Sequence, residues 1–194
     1  FDDGNYQYTK DRGWFFEKIL VKNLGLFNQK RLKDYVLPEY NSKIPIMLFA
    51  PSTVNDGRRI LISSQPISFL CYNDSILLND NPSFENIEYS ALFNENNPLN
   101  LKFTTALRMN ATFPYILPMV VLPTNPNIWV MDAGVRDNFG LSTSIKYIEK
   151  FKHWINDNTS GLVVVQIRDK EKNSKSKSKN QGSFISKLFT PLTN

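Results

Sequence analysis

An aspartate at the end of a short apolar segment is the residue best placed for chemistry. Asp132 directly follows Ile128-Trp129-Val130-Met131 and precedes the small residues Ala133 and Gly134. A carboxylate at the C-terminal end of a strand is a common site of chemistry in open α/β sheets. Asp132 is therefore the candidate catalytic residue. The alternative is a structural role, because aspartate is also frequent in turns.

The sequence lacks the serine motif that would supply a nucleophile to act with Asp132. No Gly-x-Ser-x-Gly occurs in the 194 residues, and the nearest segment, Gly140-Leu141-Ser142-Thr143-Ser144, lacks the final glycine. We therefore expect the chain to be part of an enzyme rather than a whole one, and inactive alone because it lacks the nucleophile.

One cysteine and one histidine offer rival chemistries. Cys71 lies in an apolar run at residues 69–72 and has no partner for a disulfide, so a buried, inert thiol is expected. His153 lies on a predicted helix, where a surface position is expected, although the chain order of a Ser-Asp-His triad is compatible with it. With so few ligand residues and no clustered carboxylates, neither a metal site nor a cofactor is predicted.

Apolar spacing predicts the elements that must position Asp132. Helices are predicted over residues 14–27, 29–36, 101–110 and 142–156, with Gly25 near the end of the first and Pro38 stopping the second. Strands are predicted over residues 44–50, 59–63, 128–131 and 161–167, with a hairpin-like turn at 55–57 between the first two.

The order of these elements predicts the fold class. Residues 79–100 are expected to be loop, with a helical turn near 87–93. A strand at 128–131, a helix and a continuous β-branched run at 161–167 imply a parallel crossover. The prediction is a three-layer α/β/α fold with a mostly parallel sheet.

The positive charge is concentrated near one end of the chain. Residues 168–179 hold six basic and two acidic side chains, so they carry +4 of the net +5. The remainder is nearly neutral, which argues against nucleic acid as a partner. We expect a solvated, low-complexity loop at about 170–182. The alternative is contact with anionic lipid through Lys170, Lys172, Lys175, Lys177 and Lys179.

Composition indicates a globular protein with one domain. The chain is 41% hydrophobic and 13% aromatic, which is enough for a core. It shows no secretory signal, and no run approaches the ~18 apolar residues of a membrane-spanning helix. A cytoplasmic or peripheral membrane location is therefore expected.

Two segments, taken in order, resemble the patatin-like phospholipase family. They are residues 106–118 (Ala-Leu-Arg-Met-Asn-Ala-Thr-Phe-Pro-Tyr-Ile-Leu-Pro) and 131–138 (Met-Asp-Ala-Gly-Val-Arg-Asp-Asn). In that family a helix end leading into Phe-Pro precedes a strand and an Asp-Gly turn that carries the catalytic aspartate. The strand-turn-strand at residues 46–63 is also similar, so the resemblance covers about residues 44–167.

The resemblance implies a lipid acyl hydrolase, a phospholipase A-type esterase with a Ser-Asp dyad. Residues 1–194 would then be the C-terminal portion of a patatin-like domain, and Asp132 would be the dyad aspartate. Asn138 matches a family position and would hold the aspartate turn by hydrogen bonds. Ala133 departs from the usual glycine, which would cost about 1 kcal/mol if the backbone there required positive φ. Asp137 is expected to cap the next turn or to pair with Arg136.

Two alternatives remain open at this point. The apolar run containing Phe113, Pro114, Ile116 and Leu117 is predicted either to bind the acyl chain of an ester substrate or to pack in the core. The whole chain is either part of the hydrolase or a non-catalytic scaffold that binds a membrane or an acidic partner.

Overall fold

A computed structural model describes residues 2–3, 6–7, 10–25, 30–72, 85–93, 97–113 and 115–167. The chain divides into two units, Phe1–Gly161 and Leu162–Asn194. The predicted basic loop at 170–182, with its five lysines, and Pro114 lie outside the described residues.

Five stretches of the described residues form α-helices. They are α1 (Arg12–Leu24), α2 (Val36–Tyr40), α3 (Phe103–Asn110), α4 (Gly134–Asp137) and α5 (Leu141–Asn158). The Asp11 carboxylate accepts a hydrogen bond from the Trp14 N–H at 2.8 Å, which caps the start of α1. Gly25 ends that helix at φ +58°, a conformation that glycine adopts without steric cost. The helices predicted over 14–27, 101–110 and 142–156 are thus confirmed within a few residues at each end.

The helix predicted over residues 29–36 forms later in the chain than expected. A 3₁₀ turn at Leu32–Tyr35 leads directly into α2, which contains Pro38. The prediction that Pro38 stops the helix is wrong. Proline lies in the first turn of α2, where a backbone N–H has no partner within the helix, so its missing N–H costs nothing.

The first unit contains a mixed five-stranded sheet. Strands β1 (Asp2–Asp3) and β2 (Tyr6–Gln7) form a separate antiparallel pair. The sheet contains β3 (Ser52–Thr53), β4 (Arg59–Leu61), β5 (Asn86–Glu88), β6 (Val120–Leu122) and β7 (Ile128–Met131), in the order β5-β4-β3-β7-β6. Only β4 and β5 pair in parallel, and the other neighbours are antiparallel. The α/β class is confirmed, and the mostly parallel sheet is wrong.

Short connections explain two of the three antiparallel pairings in this sheet. β3 and β4 are joined through the predicted turn, where Gly57 has φ +72°, and β6 and β7 through residues 123–127. Connections this short join antiparallel strands, whereas a parallel pair needs a crossover of a dozen or more residues. The strand predicted over 44–50 reduces to one bridge between Phe49 and Ile62, because the Ala50 N–H donates instead to the Asn110 side chain at 2.9 Å.

The two faces of the sheet bury different side chains. Ile60 and Ile62 of the β4 segment pack in a cluster with residues of α3, whereas Leu61 packs in a second cluster with Leu70 and, from α5, Tyr147. Alternate residues of a strand point to opposite faces. Helical residues therefore pack on both sides of β4, as the layered prediction requires.

The second unit contains residues 162–167, which were predicted as a buried strand together with Gly161. They form no strand, and four of their apolar side chains, Leu162, Val163, Val164 and Val165, are more than half exposed. The prediction is wrong because hydrophobicity alone does not make a strand. A strand needs a neighbour whose N–H and C=O groups complete its ladder, and none of the strands in the described part of the chain includes or pairs with residues 162–167.

Candidate active site

Asp132 lies immediately after the last residue of β7. Its backbone N–H donates to the Thr112 carbonyl at 2.9 Å, and the Ala133 N–H donates to the Asn110 carbonyl at 3.3 Å. Asn110 is the last residue of α3. The C-terminal end of α3 therefore fixes the backbone of the aspartate turn by two hydrogen bonds between segments distant in sequence.

The carboxylate of Asp132 is fixed at one oxygen only. Oδ1 accepts the Gly134 N–H at 2.5 Å, while Oδ2 accepts no hydrogen bond from any residue that the structure describes. The side chain is partly buried, and this burial raises its pKa above the usual 3.8, against the opposing effect of the Gly134 N–H. A raised pKa makes the carboxylate a stronger proton acceptor, so Oδ2 is oriented, partly desolvated and available to a substrate or nucleophile.

Gly134 allows the close approach that orients this carboxylate. A Cβ added to Gly134 would lie 2.6 Å from Asp132 Oδ1 and 2.9 Å from Asn138 Oδ1. Glycine is therefore required at position 134 because a side chain there would clash with the Asp132 carboxylate, and not because the backbone has an unusual angle. Ala133 has φ −63° and ψ −29°, an ordinary helical conformation, so alanine there carries no strain.

Replacement of Gly134 by alanine should displace the carboxylate and, for the ester hydrolysis that the resemblance to patatin-like phospholipases implies, reduce kcat of the intact protein about 100-fold. A shift near 1 Å at a reacting group has an effect of this size. The measurement is kcat on a short-chain ester. Gly25→Ala is the matched control, because a Cβ there meets nothing within 4 Å. It should lower stability slightly through its positive φ and leave kcat unchanged. Equal kcat for Gly134→Ala and wild type would contradict the role assigned to the turn.

Asn138 lies beside the turn without bonding to it. Its side chain is exposed and forms no hydrogen bond with the described residues, although its Oδ1 approaches Gly134. The hydrogen-bond role expected for Asn138 is therefore not seen. Among the described residues, the Gly134 N–H is the group that hydrogen-bonds to the Asp132 side chain.

Asp137 connects the turn to the following helix. Its carboxylate accepts the N–H groups of Ser142 and Thr143 at 3.1 and 3.0 Å, in the first turn of α5. The expected capping role is thus confirmed. The alternative, an ion pair between Asp137 and Arg136, is not observed, because Arg136 donates from Nε to the Gly57 carbonyl at 2.6 Å. The cation near Asp137 is Arg59, whose Nη1 lies 3.4 Å from Oδ2.

Sequence reasoning missed the buried guanidinium of Arg59. It lies on β4 with 2% of its surface exposed. Its Nε donates to the Asn86 side chain at 2.8 Å, and its Nη2 is in ionic contact with Glu85 at 2.8 Å. The signal was an arginine directly before the apolar run at residues 60–62. This network joins β4 and β5 to the segment that carries the aspartate turn.

The apolar segment after α3 begins next to the turn and faces outward. Phe113 follows Thr112, whose carbonyl accepts the Asp132 N–H. Phe113, Ile116 and Met119 are 36%, 67% and 38% exposed. Leu117 is partly buried. Packing of the whole run in the core is therefore wrong, and an apolar surface starts beside the candidate base.

Cys71, the rival nucleophile, and His153, the rival base, are poorly placed for catalysis. Cys71 is buried as predicted, and burial raises the pKa of its thiol to about 11, so the thiolate is scarce at neutral pH. His153 is exposed on α5 and forms no hydrogen bond with the described residues. Within the described ranges, no group of three or more histidine, cysteine or acidic side chains is arranged to hold a metal ion.

Comparison with models of protein families, with curated sequences and with solved structures gives no match to this chain. The resemblance to patatin-like phospholipases therefore rests on the residues and their order alone. No helix in the described part of the chain is both long enough and apolar enough to cross a bilayer.

Proposed function

We propose that this chain supplies the catalytic aspartate of a serine-dependent acyl hydrolase that resembles the patatin-like phospholipases. The observation that carries the proposal is the Asp132 carboxylate. Asp132 directly follows β7, and its Oδ1 accepts a hydrogen bond from the Gly134 N–H. Its Oδ2 accepts no hydrogen bond from the described residues. Its raised pKa is the second support.

The chemistry assigned to Asp132 is proton transfer. Oδ2 accepts the proton of a serine hydroxyl as the serine oxygen attacks the carbonyl carbon of an ester. The tetrahedral intermediate collapses with loss of the alcohol, which takes the proton from Asp132. Water then attacks the acyl-serine with the same carboxylate as base, releasing the acid and regenerating the serine. The serine belongs to the rest of the protein in this proposal.

A lipid ester is the substrate class that the surroundings favour. The side chains of Phe113, Ile116 and Met119 present apolar surface on the segment that follows Thr112, whose carbonyl accepts the Asp132 N–H. Apolar side chains around a few placed polar groups are typical of sites for apolar ligands. A long acyl chain would cover this surface, whereas a polar ester would leave it exposed to water.

The test is covalent labelling of the intact protein that contains this chain. A fluorophosphonate reacts with an activated serine, so we expect one labelled serine outside Gly140–Ser144, together with hydrolysis of acyl esters. The labelled peptide is identified by mass spectrometry, and heat-denatured protein is the control. Absence of both labelling and hydrolysis would contradict the proposal and favour the non-catalytic scaffold.

A further inference from the structure

Helix α1 leaves two large apolar side chains largely exposed while it buries a glycine and a charged residue. Gly13 and Glu17 are buried, whereas Phe15 and Ile19 are each 57% exposed. A surface helix normally turns its apolar residues toward the core. The exposed pair therefore lies outside both core clusters of the described residues.

The inward face explains how this orientation is stable. Glu17 Oε1 lies 2.6 Å from Arg108 Nε of α3, and Glu17 Oε2 accepts the Thr105 hydroxyl at 3.0 Å. Gly13 provides the space, because a Cβ there would lie 2.0 Å from Arg108 Nη1. An ion pair and a close contact thus help to dock α1 on α3.

The outward face combines apolar and basic side chains. Phe15 and Ile19 are one turn apart and share that face, and Phe16, 36% exposed, extends it. Lys18 and Lys22 follow Phe15 and Ile19 by three residues, and both are exposed. The only acidic side chain within the helix is the buried Glu17. The exposed charges of α1 are therefore all positive.

We propose that the outer face of α1 docks on an anionic lipid surface. Apolar side chains flanked by lysines, with no exposed acid, characterise helices that lie in the membrane interface. The lysine stems cover apolar surface while their ammonium groups reach anionic headgroups. A second copy of this chain fits less well, because two such faces would bring like charges together. The inference is independent of the role of Asp132.

The experiment is co-sedimentation of the full chain with vesicles. We expect binding to phosphatidylcholine vesicles that contain phosphatidylserine and little binding to phosphatidylcholine alone. Replacement of both Phe15 and Ile19 by serine should weaken binding about tenfold or more. Replacement of Lys18 and Lys22 by glutamine should weaken it about fivefold for each lysine, and added salt should reduce that effect.

Matched controls come from α5. Ile145 and Trp154 are 45% and 60% exposed, so Ile145→Ser with Trp154→Ser removes similar apolar surface. Lys150→Gln with Lys152→Gln removes the same charge. Both controls should bind vesicles like wild type. Circular dichroism compares the fold of every variant, and the lysine variants keep the test valid if the serine variants unfold.

Three outcomes would overturn the proposal. The first is unchanged vesicle binding by both α1 variants. The second is loss of binding on replacement of the lysines at 172, 175, 177 and 179 with no effect of the α1 variants. The third is a dimer, seen by light scattering without lipid, that dissociates when Phe15 and Ile19 are replaced.

Discussion

Replacement of Asp132 by asparagine should reduce kcat for ester hydrolysis by the intact protein by about 10²–10⁴-fold, the usual contribution of a positioned general base. Asparagine retains an oxygen that can accept the Gly134 N–H, so the turn should keep its shape while losing the proton acceptor. The measurement is kcat on a short-chain ester. Asp157→Asn, an exposed change on α5, is the matched control and should leave kcat unchanged.

Stability distinguishes this catalytic role from a structural one. Burial raises the pKa of Asp132, so the folded state binds the proton more tightly than the unfolded state. Stability from this group is thus present below the unfolded pKa of 3.8 and is lost as pH rises through the higher folded pKa. At neutral pH the ionised carboxylate opposes folding. Asp132→Asn should therefore unfold at an equal or higher denaturant concentration than wild type.

The pH profile supplies a further check on Asp132. Activity that depends on the ionised carboxylate should fall as pH decreases through its raised pKa, on the acid side of the profile. A variant with wild-type kcat, or one that loses activity only because it is less stable at neutral pH, would contradict the assignment. Both results would indicate that Asp132 serves only the turn.

Local sequence signals predicted the elements around Asp132 well. The apolar run Ile128–Met131 predicted β7, and the small residues after it predicted a tight turn at Asp132. Asn55-Asp56-Gly57 predicted a hairpin, and β3 and β4 pair on either side of it. These features depend on neighbours in the chain, so propensity and turn chemistry are sufficient to predict them.

Features that depend on partners distant in the sequence were harder to predict. β5 and β6 have three residues each, too few to show the alternation that identifies a strand. Residues 161–167 show the strongest strand pattern but join no strand of the described sheets. The buried positions of Arg59 and Glu17 follow from partners on other elements, which periodicity does not reveal. Charged residues are rarely buried without such partners.

Removal of the Glu17 carboxylate should have the largest effect on stability. Glu17→Ala leaves the Arg108 guanidinium, 9% exposed, with the Asp11 carboxylate at 3.8 Å in place of its closer ionic partner at 2.6 Å, and also removes the acceptor of the Thr105 hydroxyl. Removal of one partner of a buried ion pair costs about 3–5 kcal/mol. We expect the free energy of unfolding in urea to fall by that amount. Lys18→Ala, the exposed neighbour, should change it by about 0.5 kcal/mol or less.

The double replacement Glu17→Met with Arg108→Met separates the two contributions to this loss. Ionic contact at 2.6 Å stabilises the folded state, but both groups also lose water on burial. If the loss in Glu17→Ala comes from the Arg108 charge that stays buried without Glu17, the double variant should recover most of the unfolding free energy, because neither charge then remains buried. An unfolding free energy as low as that of Glu17→Ala would show instead that the specific contact holds α1 on α3. Such a result would make the pair essential for presenting the outer face of α1.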